Sequence, residues 1–193
     1  MNPLPTTATA LPARAKWIAK AGWFILLLSA GSALLPLYGK THGSAIIATL
    51  LVLAGVTEIF AGSLRHETRR LAMLAGAVTT LAGILFATGS AAHFLSMLSI
   101  IAGWLFLRSI VLILAARLEH GSVRTWTALS AATDLVLALV VAVGLSIATL
   151  IVSLFGATPP MIASFAWILA LSFIATAMLL LEVASCARGA EDV

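Results

Sequence analysis

The sequence contains few charged residues and only one cysteine. Charged side chains make up 9% of the 193 residues, and Cys186 is the single cysteine; a soluble domain averages about 25% charged residues. One cysteine cannot build a disulfide framework or a cysteine-based zinc site. So few charges cannot cover the surface of a water-soluble globule. These shortages exclude a soluble enzyme, a soluble nucleic-acid-binding domain and a disordered chain.

Apolar residues take the place of the missing charges. They make up 62% of the chain, whose mean hydropathy is +1.14. A helix that crosses about 30 Å of hydrocarbon needs about 20 mostly apolar residues. The sequence therefore predicts an all-α integral membrane protein with six transmembrane helices. The predicted spans are residues 21–37, 44–64, 71–88, 91–116, 126–155 and 161–184.

These spans define the predicted domain organisation. Residues 1–16 are expected to form a flexible cytoplasmic tail, residues 17–185 the transmembrane domain, and residues 186–193 a second cytoplasmic tail. An alternative interpretation concerns residues 21–33, where an apolar run followed by small residues resembles a cleavable signal peptide. That alternative would leave five spans.

The basic residues between the spans predict the orientation of the chain. Nine of the 11 Lys and Arg residues fall on one side of the predicted membrane, Lys40 lies on the other, and Arg108 lies inside a span. The positive-inside rule then places both termini in the cytoplasm. The formal net charge of +4 is therefore interpreted as a sign of membrane topology rather than of nucleic-acid binding. The nine are Arg14, Lys16, Lys20, Arg65, Arg69, Arg70, Arg117, Arg124 and Arg188.

Short internal sequence repeats indicate that the spans come in pairs. Leu53-Ala54-Gly55 in the second span is similar to Ile101-Ala102-Gly103 in the fourth. Ala30-Gly31 in the first span matches Ala82-Gly83 in the third. Each pair would hold two spans, so the sequence predicts three tandem helix-pair repeats related by an axis along the membrane normal.

Small residues in the third span predict close helix packing. They recur at spacings of three and four, which lets a neighbouring backbone approach closely. We expect the neighbour to be a helix of the same subunit rather than of a second copy. The stripe consists of Ala72, Gly76, Thr80, Gly83 and Ala87.

Three charged residues lie deep inside apolar spans: Glu58, Arg108 and Asp134. A fourth, Glu182, lies near the cytoplasmic end of the sixth span, where it can reach interfacial water. A charge near the bilayer centre costs roughly 2.5–3.5 kcal/mol on insertion scales, so each needs a compensating partner. Counted at about 1.5 Å per residue, all three lie about 10–15 Å from the cytoplasmic ends of their spans. The sequence predicts a buried cluster of two carboxylates around one guanidinium. Snorkelling of Arg108 to the interface, with Trp104 beneath it, is the alternative.

The predicted cluster allows two roles. It can fix the register of the helices, or it can respond to protons, because its surplus negative charge can take up a proton when the cell acidifies and loosen the helix contacts. His42 and His93, on the predicted outer side, are further candidates for a pH response or are plain interfacial residues. No grouping of side chains has metal-ligand or catalytic-triad spacing. We therefore expect no metal, no cofactor and no enzymatic activity.

The pattern as a whole resembles the HdeD-like acid-resistance membrane proteins of bacteria. The resemblance rests on the three paired spans, on Ile101-Ala102-Gly103, on Asp134 followed by Leu135, and on Gly156-Ala157-Thr158-Pro159 before the last span. It covers about residues 17 to 184. It implies a bacterial inner-membrane protein that contributes to survival of acid stress, and it extends to Asp134 but not to Glu58 or Arg108.

These observations predict a non-enzymatic inner-membrane stress protein with a proton-responsive or permeability-related role in acid resistance. The alternatives are a small transporter or channel, favoured by the intramembrane charges, and a scaffold that binds another membrane protein. The expected partners are the lipid bilayer and either a second copy of the chain or another membrane protein. No nucleic acid is expected.

Overall fold

The computed structural model describes residues 10–34, 43–65, 68–88, 94–155 and 159–189. All regular secondary structure in these ranges is α-helical, in six helices long and apolar enough to cross a membrane. The prediction of an all-α, multi-pass membrane protein is thus confirmed for this part of the chain. The helices are α1 (Ala10–Leu34), α2 (Gly43–Ser63), α3 (Arg69–Thr88), α4 (Phe94–Leu118), α5 (Gly121–Phe155) and α6 (Pro159–Gly189).

Several helices extend beyond the predicted spans. Helix α1 begins at Ala10, eleven residues before the predicted span at 21, and α6 continues to Gly189, past the predicted end at 184. Hydropathy marks only the apolar part of a helix. Long basic side chains near a helix end can keep their charge in the headgroup region while the helix continues. The spans are therefore the apolar middles of longer helices.

The helices pack in the order of the chain. Helix α2 packs most extensively on α3, α4 on α5, and α6 returns to pack on α1. Smaller contacts join α3 to α4, α5 to α6, and α1 to α2. The six helices thus form a closed ring in which extensive and smaller contacts alternate.

Glycines bring α2 and α3 into backbone contact. A Cβ atom placed on Gly55 would lie 2.4 Å from the backbone nitrogen of Thr80, and one on Gly76 would lie 2.6 Å from the backbone nitrogen of Ile59. Gly83 faces α2 in the same way. The small-residue stripe of α3 therefore packs within the same subunit, as its spacing predicts.

Large apolar side chains cover the outside of the bundle. Trp23 and Leu27 of α1 are 58% and 69% exposed, in keeping with a surface that meets lipid acyl chains. Trp17 stacks edge-on against Phe60 with ring centroids 6.1 Å apart, and the Lys20 ammonium lies 4.5 Å from the centre of the Trp17 ring. An aromatic side chain with a cation over it is typical of the membrane interface.

Candidate functional site

Glu58 of α2, Arg108 of α4 and Asp134 of α5 meet inside the bundle, where they are 6%, 1% and 0% exposed. Nη2 of Arg108 donates to Oε1 of Glu58 at 2.8 Å, and Nη1 donates to Oδ2 of Asp134. We call these three residues the central cluster. The structure brings all three candidate residues together, and the burial of Arg108 excludes its snorkelling to the interface.

Helix α6 contributes two hydroxyl groups to the central cluster. Ser172 Oγ donates to Oδ1 of Asp134 at 2.6 Å and lies 3.5 Å from Nη1 of Arg108. Thr176 Oγ1 accepts from Nη2 of Arg108 at 2.6 Å and donates to the carbonyl oxygen of Ser172 at 2.9 Å. Sequence reasoning missed both residues. The available signal was their spacing of four in an apolar span, which puts both hydroxyls on one helix face.

The two carboxylates of the central cluster are held differently. Both oxygens of Asp134 accept short hydrogen bonds, whereas Oε2 of Glu58 lies 3.5 Å from Thr79 Oγ1 of α3. The Thr79 hydroxyl donates to the Ala75 carbonyl at 3.1 Å and accepts from Nε1 of Trp104 at 3.1 Å. A hydroxyl has one proton to donate. Because the shorter contact is to Ala75, Oε2 of Glu58 is the most weakly held carboxylate oxygen in the cluster.

The charges of the central cluster do not balance. Two carboxylates share one guanidinium, so the cluster carries one surplus negative charge when both are ionised. Nε of Arg108 and Oγ of Ser130 are both buried and lack a hydrogen-bond partner among the described residues. Ser130 lies one turn before Asp134 on the same face of α5. Buried polar atoms without partners are rare in folded proteins, so the arrangement leaves hydrogen-bonding capacity beside the surplus charge.

A second ionic cluster lies where the α2–α3 and α4–α5 connections meet. The buried Glu119 accepts from Nη1 of Arg65 at 3.1 Å and from Thr68 Oγ1 at 2.8 Å through Oε1, while Thr127 Oγ1 donates to its Oε2. We call Arg65, Thr68, Glu119 and Thr127 the end cluster. Burial lowers the pKa of Arg65, and the Glu119 carboxylate opposes that shift. Among the described residues, one guanidinium meets one carboxylate here, so their charges balance.

The end cluster was not predicted. Glu119 comes directly after the last residue of α4, and an acidic residue there is typical of a solvated loop. The weak signal was Thr127, which shares a face of α5 with Ser130 and Asp134. All three side chains on that shared face are polar and buried.

The remaining candidates add no chemistry to this site. His42 and His93 lie outside the described residues, as do residues 156–158 of the loop before the last span. Within the described ranges, no group of three or more His, Cys, Asp and Glu side chains is placed to hold a metal ion. Cys186 is exposed, with its Sγ 3.2 Å from Oγ of Ser122.

Comparisons of the chain with protein-family models, with curated proteins and with solved structures find no match. The resemblance to HdeD-like proteins therefore stays a prediction from the sequence. The geometry of the central cluster carries the functional argument.

Proposed function

We propose that the protein is a non-enzymatic, proton-responsive protein of the bacterial cytoplasmic membrane that contributes to survival of acid stress. The observation that carries this proposal is the surplus carboxylate of the central cluster. Glu58 and Asp134 share Arg108 in the interior of the bundle. An unbalanced buried charge can be neutralised by a proton, so the site is suited to respond to acid.

Glu58 is the less firmly bonded of the two carboxylates. Its Oε2 lacks a strong donor, whereas both oxygens of Asp134 are engaged. A protonated Glu58 can donate to Thr79 Oγ1, which has two lone pairs and uses one for the indole N–H of Trp104. Proton uptake at Oε2 would therefore turn the ion pair between α2 and α4 into a weaker bond to a neutral carboxyl group, while a firm bond forms between α2 and α3. This change is the proposed switch.

The acid-stress role is supported by the sequence. The resemblance to HdeD-like proteins includes Asp134, which the central cluster holds against Arg108. A proton-responsive site that includes Asp134 fits the role in acid stress that this resemblance implies. The proposal assigns the protein no substrate, since a change in helix contacts needs none.

Proton passage is a second candidate function, and one observation favours it. Thr127, Ser130 and Asp134 are buried on one face of α5 and connect the end cluster with the central cluster. The Ser130 hydroxyl is unpartnered among the described residues. A water molecule beside Ser130 would complete a chain of hydrogen bonds along this face.

We further propose that the helices form three tandem pairs with both termini in the cytoplasm. The alternation of extensive and smaller contacts around the ring supports the pairs, because three equivalent pairs would repeat each contact type three times. The distribution of basic residues supports the orientation. Accessibility tagging that placed the two termini on opposite sides would overturn it.

The test of the proton-responsive function compares three variants in acid-challenged cells that lack the native protein. Glu58→Gln holds the neutral form permanently and is expected to remove the acid-dependent gain in survival, while the protein still inserts. Asp134→Asn is expected to do the same. Glu182→Gln, a carboxylate near the end of α6 outside both clusters, is the matched control and is expected to behave as wild type. Full acid survival with Glu58→Gln would contradict the proposal.

Proton flux into liposomes across a pH step separates the second candidate from the first. Proton passage predicts flux in the wild type that falls in Ser130→Ala. The proton-responsive function predicts loss of acid survival in Glu58→Gln without any flux in the wild type.

A further inference from the structure

A groove of about 290 Å³ lies on the outside of the bundle between α4 and α5. Ile113 and Leu135 line its walls together with the small side chains of Ala128 and Ala132. Arg117, one residue before the end of α4, and Arg124, in the first turn of α5, line it as well. The groove is thus apolar along the helices and basic at the α4–α5 end.

The length of this groove matches one leaflet of a bilayer. Eleven residues separate Arg124 from Leu135, which is about 16 Å along a helix. Half of a hydrocarbon core about 30 Å thick is about 15 Å. The α4–α5 connection lies at the end of two spans, so Arg117 and Arg124 lie at the level of the lipid headgroups. A phospholipid has the same division into a charged head and an apolar tail.

No described carboxylate is paired with either of the two arginines. Both are exposed, and neither forms an ion pair within the described part of the chain. The carboxylate closest to them in sequence, Glu119, is turned inward and bonded to Arg65 and two threonines. Two uncompensated positive charges therefore border the groove.

We propose that the groove between α4 and α5 binds an anionic phospholipid. The phosphate lies between the guanidinium groups of Arg117 and Arg124, whose planar forks suit phosphate oxygens. One acyl chain lies along Ala128 and Ala132, where the small side chains leave room for it. Basic pockets at the ends of transmembrane helices bind anionic headgroups in this way.

A second groove in the same molecule provides an internal comparison. It has a volume of about 380 Å³, lies between α2 and α3, and is lined by Thr49, Val52, Phe86 and Ala87, among others, with no basic residue among the described residues of the lining. It has room for an acyl chain, and the described part of its lining offers no charge for a headgroup. The proposal therefore expects headgroup selectivity at the first groove only.

The test uses the full chain in phosphatidylcholine nanodiscs containing increasing amounts of phosphatidylglycerol, with bound lipid counted by native mass spectrometry. The double variant Arg117→Gln/Arg124→Gln is expected to weaken the preference for phosphatidylglycerol by about 30-fold. The matched control Arg69→Gln/Arg70→Gln removes two exposed arginines at the start of α3 and is expected to keep the preference. Equal losses in the two double variants would overturn the proposal, because surface charge alone would then explain the preference.

Two further measurements test the acyl-chain part of the site. Ala132→Leu fills the first groove and is expected to reduce phosphatidylglycerol binding, whereas Ala87→Leu in the second groove is expected to leave it unchanged. Glycerol phosphate has the headgroup chemistry without a tail, and it is expected not to displace the bound lipid. Displacement by glycerol phosphate at the concentration at which the lipid saturates would overturn the lipid assignment in favour of a free-phosphate site.

Discussion

The central cluster and the end cluster use the same chemistry with different charge balance. In the end cluster, Glu119 meets one guanidinium and two threonine hydroxyls, and both of its oxygens are satisfied. In the central cluster, Arg108 must serve two carboxylates, and one oxygen of Glu58 is held only weakly. Both clusters are buried, so the contrast does not come from exposure.

This difference is the reason why we propose a responsive role for the central cluster and a structural role for the end cluster. A balanced ion pair would become positively charged by taking up a proton, whereas a cluster with one surplus negative charge becomes neutral by doing so. The end cluster ties two helix connections together. The central cluster joins α2, α4, α5 and α6 through bonds that depend on its charge.

The largest expected effect comes from removing the shared guanidinium. Arg108→Met leaves two carboxylates buried without a counter-charge, and breaking a buried pair in this way costs about 3–5 kcal/mol. The free energy of unfolding in detergent micelles measures the loss. The triple variant with Glu58→Gln and Asp134→Asn added is the control, and it is expected to recover most of the stability because no unpaired charge remains. An Arg108→Met variant as stable as wild type would contradict the burial of the two carboxylates beside Arg108.

The next effect tests the helix approach that positions Glu58. A Cβ on Gly55 would lie 2.4 Å from the backbone of Thr80, so Gly55→Ala forces α2 and α3 apart and is expected to cost about 1–3 kcal/mol. A Cβ on Gly103 would meet no atom of the described residues within 4 Å, so Gly103→Ala is the matched control, expected to be neutral or slightly stabilising. Thermal unfolding of both variants measures the difference in stability. Equal melting temperatures would contradict the close contact.

A direct comparison of the two clusters follows from paired carboxylate variants. Glu119→Gln leaves Arg65 with no counter-charge in the end cluster and is expected to cost about 1–3 kcal/mol. Glu58→Gln leaves Arg108 paired with Asp134 and is expected to cost less than about 1 kcal/mol. Denaturation at neutral pH measures both. A larger loss of stability for Glu58→Gln than for Glu119→Gln would contradict the assignment of the surplus negative charge to the central cluster.

The last comparison distinguishes used from unused hydroxyls beside Asp134. Ser172→Ala removes a donor to the buried carboxylate and is expected to cost about 1–3 kcal/mol. Ser130→Ala removes an oxygen without a partner among the described residues and is expected to leave stability unchanged. Chemical denaturation of the two alanine variants side by side is the measurement. A larger loss for Ser130→Ala would reveal a bound water or another partner.

The number of helices was predictable because a bilayer imposes a length on every span. Six apolar runs of that length gave six helices, but hydropathy underestimated α1 and α6. The first turns of α1 and the last turns of α6 contain polar and basic residues such as Arg14 and Arg188. Such residues end an apolar run without ending a helix.

The charged members of the central cluster were predictable because charges are rare and costly inside a membrane. Their hydroxyl partners were not, because many serines and threonines in the same helices bond only to their own backbone. Thr57 and Thr133 donate to carbonyl oxygens one turn earlier, whereas Ser172 reaches a carboxylate of another helix. The spacing of Ser172 and Thr176 puts both hydroxyls on one helix face, but it does not show which of the two kinds of bond each will form, since that depends on which helix lies opposite.

The position of Trp104 gives the central cluster an optical reporter. Its indole N–H is bonded to the hydroxyl that lies beside Glu58, while Trp17, Trp23 and Trp167 are at least half exposed on the outside of the bundle. Indole emission responds to the electric field around the ring. With the other tryptophans replaced by phenylalanine, a change in the charge of the central cluster would alter the fluorescence of Trp104, without any attached label.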